Sequence, residues 1–293
     1  MQKLLIVGCG DVARRTLPHL LGHYRIYALL RDAEHSAAWR AAGARPIMAD
    51  LDQAASLKRI SGLADVILHF APPPERGPQD SRMRKLLMAL LQGKSLPQRL
   101  IYISTSGVYG DCAGALIDET RPLRPATARA KRRVDAERQL RQFGARRGVC
   151  VSILRAPGIY AADRLPIERL QKGVNALCAD DDVFTNHIHA EDLARLACAA
   201  LRHGRANRCY NASDDSQMKM GEYFDLVAER FGLPRAPRIT RSEAQSLMSP
   251  IQLSFMSESR RLDNRRIKQE LRIRLQYPQV ADGINAAWNE RKL

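Results

Sequence analysis

Three small residues near the amino terminus have the spacing of a phosphate-binding loop. In "IVGCGDVA", Gly8, Gly10 and Ala13 follow an apolar run and precede a helical pattern. The first glycine permits a tight turn, the second lets the backbone approach a pyrophosphate, and the small third residue allows close helix–strand packing. The helix also presents free N–H groups and a positive dipole end to phosphates. The pattern predicts a nucleotide loop, against the alternative of a turn without a ligand, made of Gly8, Cys9, Gly10, Asp11, Val12 and Ala13.

The end of the next predicted strand bears on the kind of nucleotide. "RIYALLRDAE" closes with Arg31 and then Asp32, at the distance from the loop where such folds contact the adenosine ribose. An acidic residue there prefers a free 2′-hydroxyl, whereas an arginine accommodates a 2′-phosphate. Because Arg31 comes first and its surroundings are basic, we expect NADP rather than NAD, and NAD remains the alternative.

A basic stretch, "ATARAKRRVDAE" (126–137), raises a different kind of chemistry. It contains Arg129, Lys131, Arg132 and Arg133, and could bind a polyanion, hold one phosphate or form a solvated helix face. The formal charge of the chain is +16, and 38 of its 47 cationic side chains are Arg. Nucleic-acid sites usually combine a concentrated basic patch with stacking aromatics. No aromatic residue interrupts this stretch, so we do not expect a nucleic-acid partner.

The elements that would position these groups alternate between strand and helix over the first 155 residues. Near-continuous apolar runs predict six strands, at 3–8, 25–30, 45–50, 64–71, 99–105 and 149–155. Helical patterns separate them, the last at roughly 126–147. This alternation predicts an α/β fold with a doubly wound, Rossmann-type parallel sheet covered on both faces.

The strand–helix alternation loosens after Arg155. A strand end and helix are predicted over 184–204 and a short strand over 209–215, while 216–293 read mostly as helices. We therefore assign 1–155 plus 186–215 to the nucleotide-binding domain. Residues 156–185 plus 216–293 form a smaller, mostly helical substrate-side domain.

Composition limits the class of protein. No run approaches the roughly 18 apolar residues of a membrane span, and the amino terminus lacks the apolar region of a secretory signal. The six cysteines show neither C-x-x-C pairs nor zinc spacing, so we predict no metal site and no disulfide framework. Together these features favour the cytoplasm.

Four motifs in this order resemble the extended short-chain dehydrogenase/reductases, the NAD-dependent epimerase/dehydratase family. They are "VGCGDVA", "ISTSGVYG" (103–110), "ILRAPGIY" (153–160) and "NHIHAEDLA" (186–194). The resemblance covers nearly the full length and is specific for fold and cofactor type. It is less specific for the reaction, because function lies in the site rather than the fold.

The resemblance implies roles for matching positions. Thr105 would hydrogen-bond the reacting oxygen of the substrate, and Tyr160 and His189 would face the substrate domain. Pro157 and Gly158 would back the nicotinamide. The remaining nucleotide contacts implied in this way are Asp50 and Leu51 beside the adenine, and Phe70, Ala71 and Pro72 after the fourth strand.

The chain departs from the family at the catalytic helix, where the family has Tyr-x-x-x-Lys followed by Ala-Glu. Alignment on Ala136-Glu137 puts Arg129 at the Tyr position and Arg133 at the Lys position. Arg133 can replace Lys as a cation, but a guanidinium stays protonated, so Arg129 cannot carry the proton. Lys131 and Arg132 are expected to project into solvent.

Three interpretations remain open. The protein could be an NAD(P)-dependent enzyme with another proton donor (Tyr109, Tyr160 or His189) and with Arg129 polarising or clamping a small anionic or nucleotide-sugar-like substrate. It could instead be a catalytically silent nucleotide sensor or scaffold, or a nucleic-acid binder. We expect 72–80 and 161–185 to border the substrate, and the resemblance leaves a homodimer open.

Overall fold

A single parallel sheet of seven strands forms the centre of the molecule. The computed structural model describes residues 1–291, apart from the side chains of Ile251 and Phe255. The strands of this sheet are Gln2–Val7 (β1), Tyr24–Leu30 (β2), Arg45–Met48 (β3), Val66–His69 (β4), Arg99–Thr105 (β5), Cys150–Ala156 (β6) and Arg208–Asn211 (β7). Their order is β3-β2-β1-β4-β5-β6-β7, and every neighbouring pair is parallel. The predicted Rossmann-type α/β fold is confirmed.

Helices cover the sheet and continue into the carboxyl-terminal part. They are Asp11–Leu20 (α1), Ser36–Ala41 (α2), Ser81–Leu91 (α3), Ala128–Arg147 (α4), Ile167–Gln171 (α5), Ala190–His203 (α6), Met220–Phe231 (α7), Arg241–Leu247 (α8), Pro250–Phe255 (α9), Arg265–Glu270 (α10) and Val280–Glu290 (α11). Four short 3₁₀ helices lie at Ala33–His35, Ala54–Ile60, Ser106–Tyr109 and Ala162–Arg164. Paired two- or three-residue strands are Leu116–Ile117 with Arg261–Leu262, Gly158–Tyr160 with His187–His189, Ala176–Leu177 with Arg238–Ile239, and Phe184–Thr185 with Met218–Lys219. No helix among residues 1–291 is long and apolar enough to cross a bilayer.

The strand order reverses at β1, which pairs with β2 on one side and β4 on the other. Val7 is opposite Leu29 in one pair and His69 in the other. Loops that leave β1 and β4 in opposite directions open a crevice at the carboxyl ends of the strands, where doubly wound folds bind ligands. The predicted nucleotide loop therefore begins at the point where this fold creates a cleft.

The two faces of the sheet are covered by separate apolar layers. One layer contains α1 and α6, which pack against each other, with buried residues such as Leu17 and Leu196. The other contains α3 and α4, with buried residues such as Leu86 and Leu140. Burial on both faces explains why the strands are nearly continuous apolar runs rather than alternating ones.

A smaller apolar cluster lies outside the sheet and joins α5, α7 and α11. Tyr160, Ile167 and Phe224 belong to it. The division into two domains stays a prediction, and the packing of one stretch bears on it. Ile267, Leu271 and Leu275, in and after α10, join the apolar layer of the sheet rather than the smaller cluster. Helical periodicity shows which face of a helix is apolar, but it does not show which apolar cluster that face packs against.

Candidate functional site

The nucleotide loop connects β1 to α1 and is shaped by its glycines. Gly8 has φ +91°, and a Cβ built there would lie 2.2 Å from the Ala71 backbone nitrogen, at the end of β4. At Gly10 a Cβ would meet nothing within 4 Å, so the backbone there faces open space. Gly10 also precedes α1, whose start has no side-chain cap. Open space beside uncapped helix amides suits a phosphate.

A cavity of about 520 Å³ opens over this loop. It is lined by the ends of β1, β4, β5 and β6 together with α4. The predicted site residues on its wall are Gly8, Cys9, Gly10, Asp11, Val12, Ala13, Phe70, Ala71, Pro72, Thr105, Arg129, Arg133 and Pro157. We refer to this space as the nucleotide cleft.

Three predicted nucleotide contacts lie outside the wall of this cleft. Arg31 follows β2, is exposed, and donates to Asp32 Oδ2 at 3.3 Å. Asp50 and Leu51 follow β3, where Leu51 is buried and Asp50 Oδ1 accepts from the Asp52 backbone at 2.8 Å. Parallel strands end at one edge of a sheet, so these residues share the edge of the cleft without lining it.

Helix α4 presents Arg129 and Arg133, one turn apart, to the nucleotide cleft. Arg133 Nη1 donates to the Tyr102 hydroxyl at 2.8 Å and to the Ile103 carbonyl at 2.7 Å. These bonds tie the guanidinium to β5 while other N–H groups remain for a ligand. Arg129 is exposed and lies on the wall of a second cavity as well.

The prediction for Arg132 is wrong. Lys131 is exposed as expected, but Arg132 is buried and its Nη1 donates to the Gly77 carbonyl at 3.0 Å. The proline-rich segment after β4 folds over this face of α4, and the Asp80 backbone donates to Asp135 at 2.9 Å. A charged face that looks solvated in the helical pattern is therefore covered by a loop distant in sequence.

Thr105 ends β5 at the boundary of the two cavities. Its Oγ1 accepts from the Gly107 backbone at 3.3 Å, which caps the following 3₁₀ turn. A threonine hydroxyl has one hydrogen to donate and a second acceptor lone pair. The cap fixes the side chain and leaves its hydrogen for another oxygen.

Tyr109 is not a proton donor in the cleft. It is 1% exposed, its hydroxyl donates to Asn211 Oδ1 at 2.7 Å, and it accepts from Arg155 Nη1 at 2.9 Å. Burial raises the pKa of this phenol above its ordinary value. Arg155 in turn pairs with Glu137, so Tyr109 belongs to a structural network beneath the site.

The second cavity, of about 400 Å³, lies beside the first and extends toward the smaller apolar cluster. The two share a junction lined by Thr105, Arg129, Pro157, Ile159 and Arg164. We refer to this second cavity as the substrate cavity.

The wall of the substrate cavity is cationic. Arg129, Arg164 and Arg169 line it, and Arg164 is paired with Asp11 at 3.0 Å. The one acidic residue among the described residues of this wall, Glu258, is paired with Arg260 at 2.8 Å. Arg164 and Arg169 lie in the segment expected to border the substrate, but periodicity alone did not distinguish them from surface cations. This surplus of positive charge favours an anionic occupant.

Tyr160 and His187 contribute to the floor of the substrate cavity. The Tyr160 oxygen is buried without a hydrogen-bond partner among the described residues, in the place where a Cβ on Gly283 would fall. Burial raises the Tyr160 pKa and lowers that of His187 to about 4. His187 is thus a neutral imidazole at pH 7. It was not among the predicted site residues, although it lies two residues from His189.

His189 caps a helix. Its Nδ1 accepts from the Glu191 backbone at 3.2 Å at the start of α6, and its ring lies 4.0 Å from that of Tyr277. It lines neither the nucleotide cleft nor the substrate cavity. Tyr160 is therefore the one of the three candidate donors that lines either space, but its hydroxyl oxygen is buried against Gly283.

Asp214, whose backbone N–H donates to the carbonyl of His187 at 2.8 Å, introduces a pH dependence. Burial raises the pKa of Asp214 to about 8, against about 4 in an unfolded chain. Between these values the native state keeps a proton that the unfolded state has released, so rising pH favours unfolding by about 1.4 kcal/mol per unit. We expect Asp214→Asn to remove this loss, making the variant increasingly more stable than the wild type from pH 5 to pH 8.

Urea unfolding at several pH values measures this difference. Asp180→Asn provides the same charge change at an exposed position. A free-energy difference between Asp214→Asn and the wild type that stays constant across this range would contradict the protonated Asp214.

Comparison with known proteins identifies the family. The model of the NAD-dependent epimerase/dehydratase family matches residues 4–213. The chain belongs to this family. Among curated proteins, Protein YeeZ of Escherichia coli K12 is 26% identical over 217 residues, which cover 73% of this chain and 72% of YeeZ.

Two solved structures show the same fold as this epimerase/dehydratase-family protein. A functionally unknown conserved protein from Silicibacter pomeroyi has a TM-score of 0.81 and 28% identity, with 100% of each chain covered. DesIV, a dTDP-glucose 4,6-dehydratase from Streptomyces venezuelae with NAD bound, has a TM-score of 0.79 and 21% identity, covering 100% of this chain and 97% of DesIV. The protein is epimerase/dehydratase-like and carries a nucleotide site of the NAD(P) type.

Proposed function

We propose that this protein is an NAD(P)-dependent oxidoreductase or epimerase that acts on a small anionic molecule, which includes nucleotide-sugar-like compounds. The observation that carries the proposal is the junction of the nucleotide cleft and the substrate cavity, where Thr105 and Arg129 lie on both walls. A reacting group at this point has a hydroxyl and a guanidinium beside it.

The residues of the nucleotide cleft fit a dinucleotide. The loop of Gly8–Ala13 offers uncapped helix amides and open space at Gly10, and Phe70–Pro72 and Pro157 supply apolar walls. The nicotinamide of such a cofactor supplies or accepts a hydride when bound. Arg133, fixed to β5, would provide a cation for such a cofactor in the role of the family lysine.

Thr105 and Arg129 would share the work at the reacting oxygen. The Thr105 hydrogen can be donated to that oxygen, since its acceptor side already caps the next turn. Arg129 stabilises negative charge on the oxygen or holds an anionic group of the substrate, but it keeps its protons. The proton must come from another source, since Tyr160 lines the cavity but its hydroxyl oxygen is buried against Gly283.

Turnover on a substrate panel tests the proposal. The protein is incubated with NADPH or NADH and candidate keto acids, and with the oxidised cofactors and hydroxy acids or nucleotide sugars, while nicotinamide absorbance and sugar products are followed. We expect Thr105→Val to lower kcat about 100-fold, as when one hydrogen-bond donor to a developing oxyanion is removed. Thr120→Val, at an exposed position, is the matched control. A Thr105→Val enzyme with wild-type kcat would contradict the role of Thr105.

A second candidate function is a nucleotide sensor or scaffold without turnover. It is favoured by Arg129, because a guanidinium at the position of the family tyrosine cannot perform general acid–base catalysis, which contributes typically 10²–10⁴-fold. The turnover assay on the substrate panel distinguishes the enzyme from the sensor. Tight NAD(P)H binding with no turnover of any compound in the panel would favour the sensor.

We also propose that NADP is preferred over NAD, since Arg31 is exposed at the ribose end of the fold. Replacing Arg31 by Ala is expected to weaken NADPH binding about tenfold and NADH binding less than twofold, because one exposed charge-assisted contact to the 2′-phosphate is lost. Asp32→Asn is expected to tighten NADPH, since Asp32 competes for the guanidinium. Fluorescence titration measures both, with Arg40→Ala as an exposed control. Tenfold tighter binding of NADH by the wild type would contradict the preference.

A further inference from the structure

An ion pair bridges the nucleotide loop and the segment that borders the substrate cavity. Arg164 Nη2 lies 3.0 Å from Asp11 Oδ2. Asp11 is the first residue of α1, and Arg164 ends the 3₁₀ turn Ala162–Arg164 that follows β6 and its short extension. Arg164 lines both the nucleotide cleft and the substrate cavity. A side chain of the substrate-side segment therefore reaches the loop that is shaped for phosphate.

The charge around Asp11 is unusual for a phosphate loop. A carboxylate beside a pyrophosphate repels it unless the carboxylate is neutralised. Asp11 Oδ2 also lies 3.0 Å from Arg15 Nε, so one carboxylate holds two guanidiniums beside the uncapped start of α1. An acidic first-turn residue by itself stabilises a helix through the dipole and needs no ligand. Stabilisation of the helix dipole by Asp11 explains neither why Arg164 lines both cavities nor why Arg164 is held at this end of α1.

We propose that Arg164 is a dinucleotide-binding residue that contacts the pyrophosphate from the substrate side of the cleft, and that Asp11 is its positioning residue. The proposal rests on nicotinamide dinucleotide binding in this cleft. Guanidinium presents five N–H donors in a planar fork. The contact with Asp11 uses one edge of the Arg164 guanidinium. Its other N–H groups remain for phosphate oxygens, which arginine binds bidentately. The cofactor would then lie between α1 and the substrate-side segment, so its release would require Arg164 to move.

Titration with two nucleotides tests this assignment. NADPH contains the pyrophosphate, whereas adenosine 2′-monophosphate carries the adenosine and its 2′-phosphate with neither phosphate of the pyrophosphate. We expect Arg164→Gln to weaken NADPH binding tenfold or more, with faster NADPH dissociation, and to leave adenosine 2′-monophosphate binding within twofold. Arg235→Gln removes the same charge from an exposed pair with Glu229 and is expected to change neither affinity. Thermal unfolding of each variant checks that the fold is kept.

A double-mutant cycle tests the role of Asp11. If Asp11 positions Arg164, Asp11→Asn weakens NADPH binding several-fold in the wild type but not in Arg164→Gln. Tighter NADPH binding by Asp11→Asn in the wild-type background would mean that the carboxylate only repels phosphate, and would overturn its positioning role. NADPH affinity of Arg164→Gln within twofold of the wild type would overturn the assignment of Arg164. A wild type that binds neither NADPH nor NADH would overturn both this proposal and the proposed function.

Discussion

We expect Gly8→Ala to weaken NADPH binding by about 100-fold, because it displaces the loop that would hold the phosphates. Gly8 has φ +91°, and the added Cβ would lie 2.2 Å from the Ala71 nitrogen and 2.8 Å from the Phe70 carbonyl carbon. Both atoms are backbone, so the loop or the end of β4 must move. Loss of one charge-assisted contact between a backbone N–H group and phosphate, worth about 1.5–3 kcal/mol, accounts for this loss of affinity. Calorimetric titration with NADPH measures it.

Gly22→Ala is the matched control for this variant. Gly22 has φ +85°, close to that of Gly8, but a Cβ there meets nothing within 4 Å. The control therefore carries the backbone strain of an alanine at positive φ, about 1–2 kcal/mol, without the collision. We expect it to lose some stability and keep its NADPH affinity. Equal NADPH affinities for Gly8→Ala and Gly22→Ala would contradict the assignment of the loop as the phosphate site.

Replacing Arg155 by Met is expected to lower the free energy of unfolding by about 3–5 kcal/mol, because it leaves a buried carboxylate without its partner. Arg155 is 3% exposed and donates to both oxygens of Glu137, at 3.1 and 2.7 Å. Ser104 donates to the same carboxylate at 2.6 Å. The network joins α4 to β5 and β6, so its loss would also loosen the helix that carries Arg129. Urea unfolding at neutral pH measures the change.

Two further variants show whether the cost comes from the unpaired charge. The double variant Glu137→Leu with Arg155→Met removes both charges and is expected to recover most of the lost stability. Arg265→Met breaks a pair with Asp263 in which the arginine is 79% exposed, and is expected to cost at most about 1 kcal/mol. An Arg155→Met variant that loses no more than Arg265→Met would contradict the structural importance of this network.

Local patterns were sufficient to predict the sheet and the nucleotide loop. Apolar runs of strand length in the first 155 residues of the chain identified six of the seven strands of the sheet. The segment "CYNASDD" predicted the seventh strand. Gly8, Gly10 and Ala13 could be recognised because the requirement is local: a turn, open space and a closely packed helix. These features depend on residues that are neighbours in sequence.

The errors arose where distant segments meet. The burial of Arg132 depends on the loop that contains Gly77, and the loss of Tyr109 as a donor depends on Arg155 and Asn211. The helical pattern of α10 could not show that Ile267 packs against the sheet. The position of Arg164 beside Asp11 likewise needs the three-dimensional fold. A single sequence does not specify such pairings, because side-chain type determines what a residue can bind but not which segment approaches it.

In the role proposed for it, Arg129 stands where the family has its tyrosine, and this would change what the junction can do. A guanidinium at the meeting point of the two cavities binds anions strongly and holds its protons, which separates substrate binding from proton transfer. Arg169 extends this preference into the substrate cavity. We therefore expect substrates whose negative group lies near the reacting carbon.

A crystal structure with NADP⁺ is the most direct test of the central claim that the dinucleotide lies across this cleft and meets the substrate at Arg129. We expect density for the pyrophosphate against Gly8–Ala13 and for the nicotinamide at the junction of Thr105, Arg129 and Pro157. A nicotinamide ring outside that junction, or no bound dinucleotide at saturating NADP⁺, would contradict the claim.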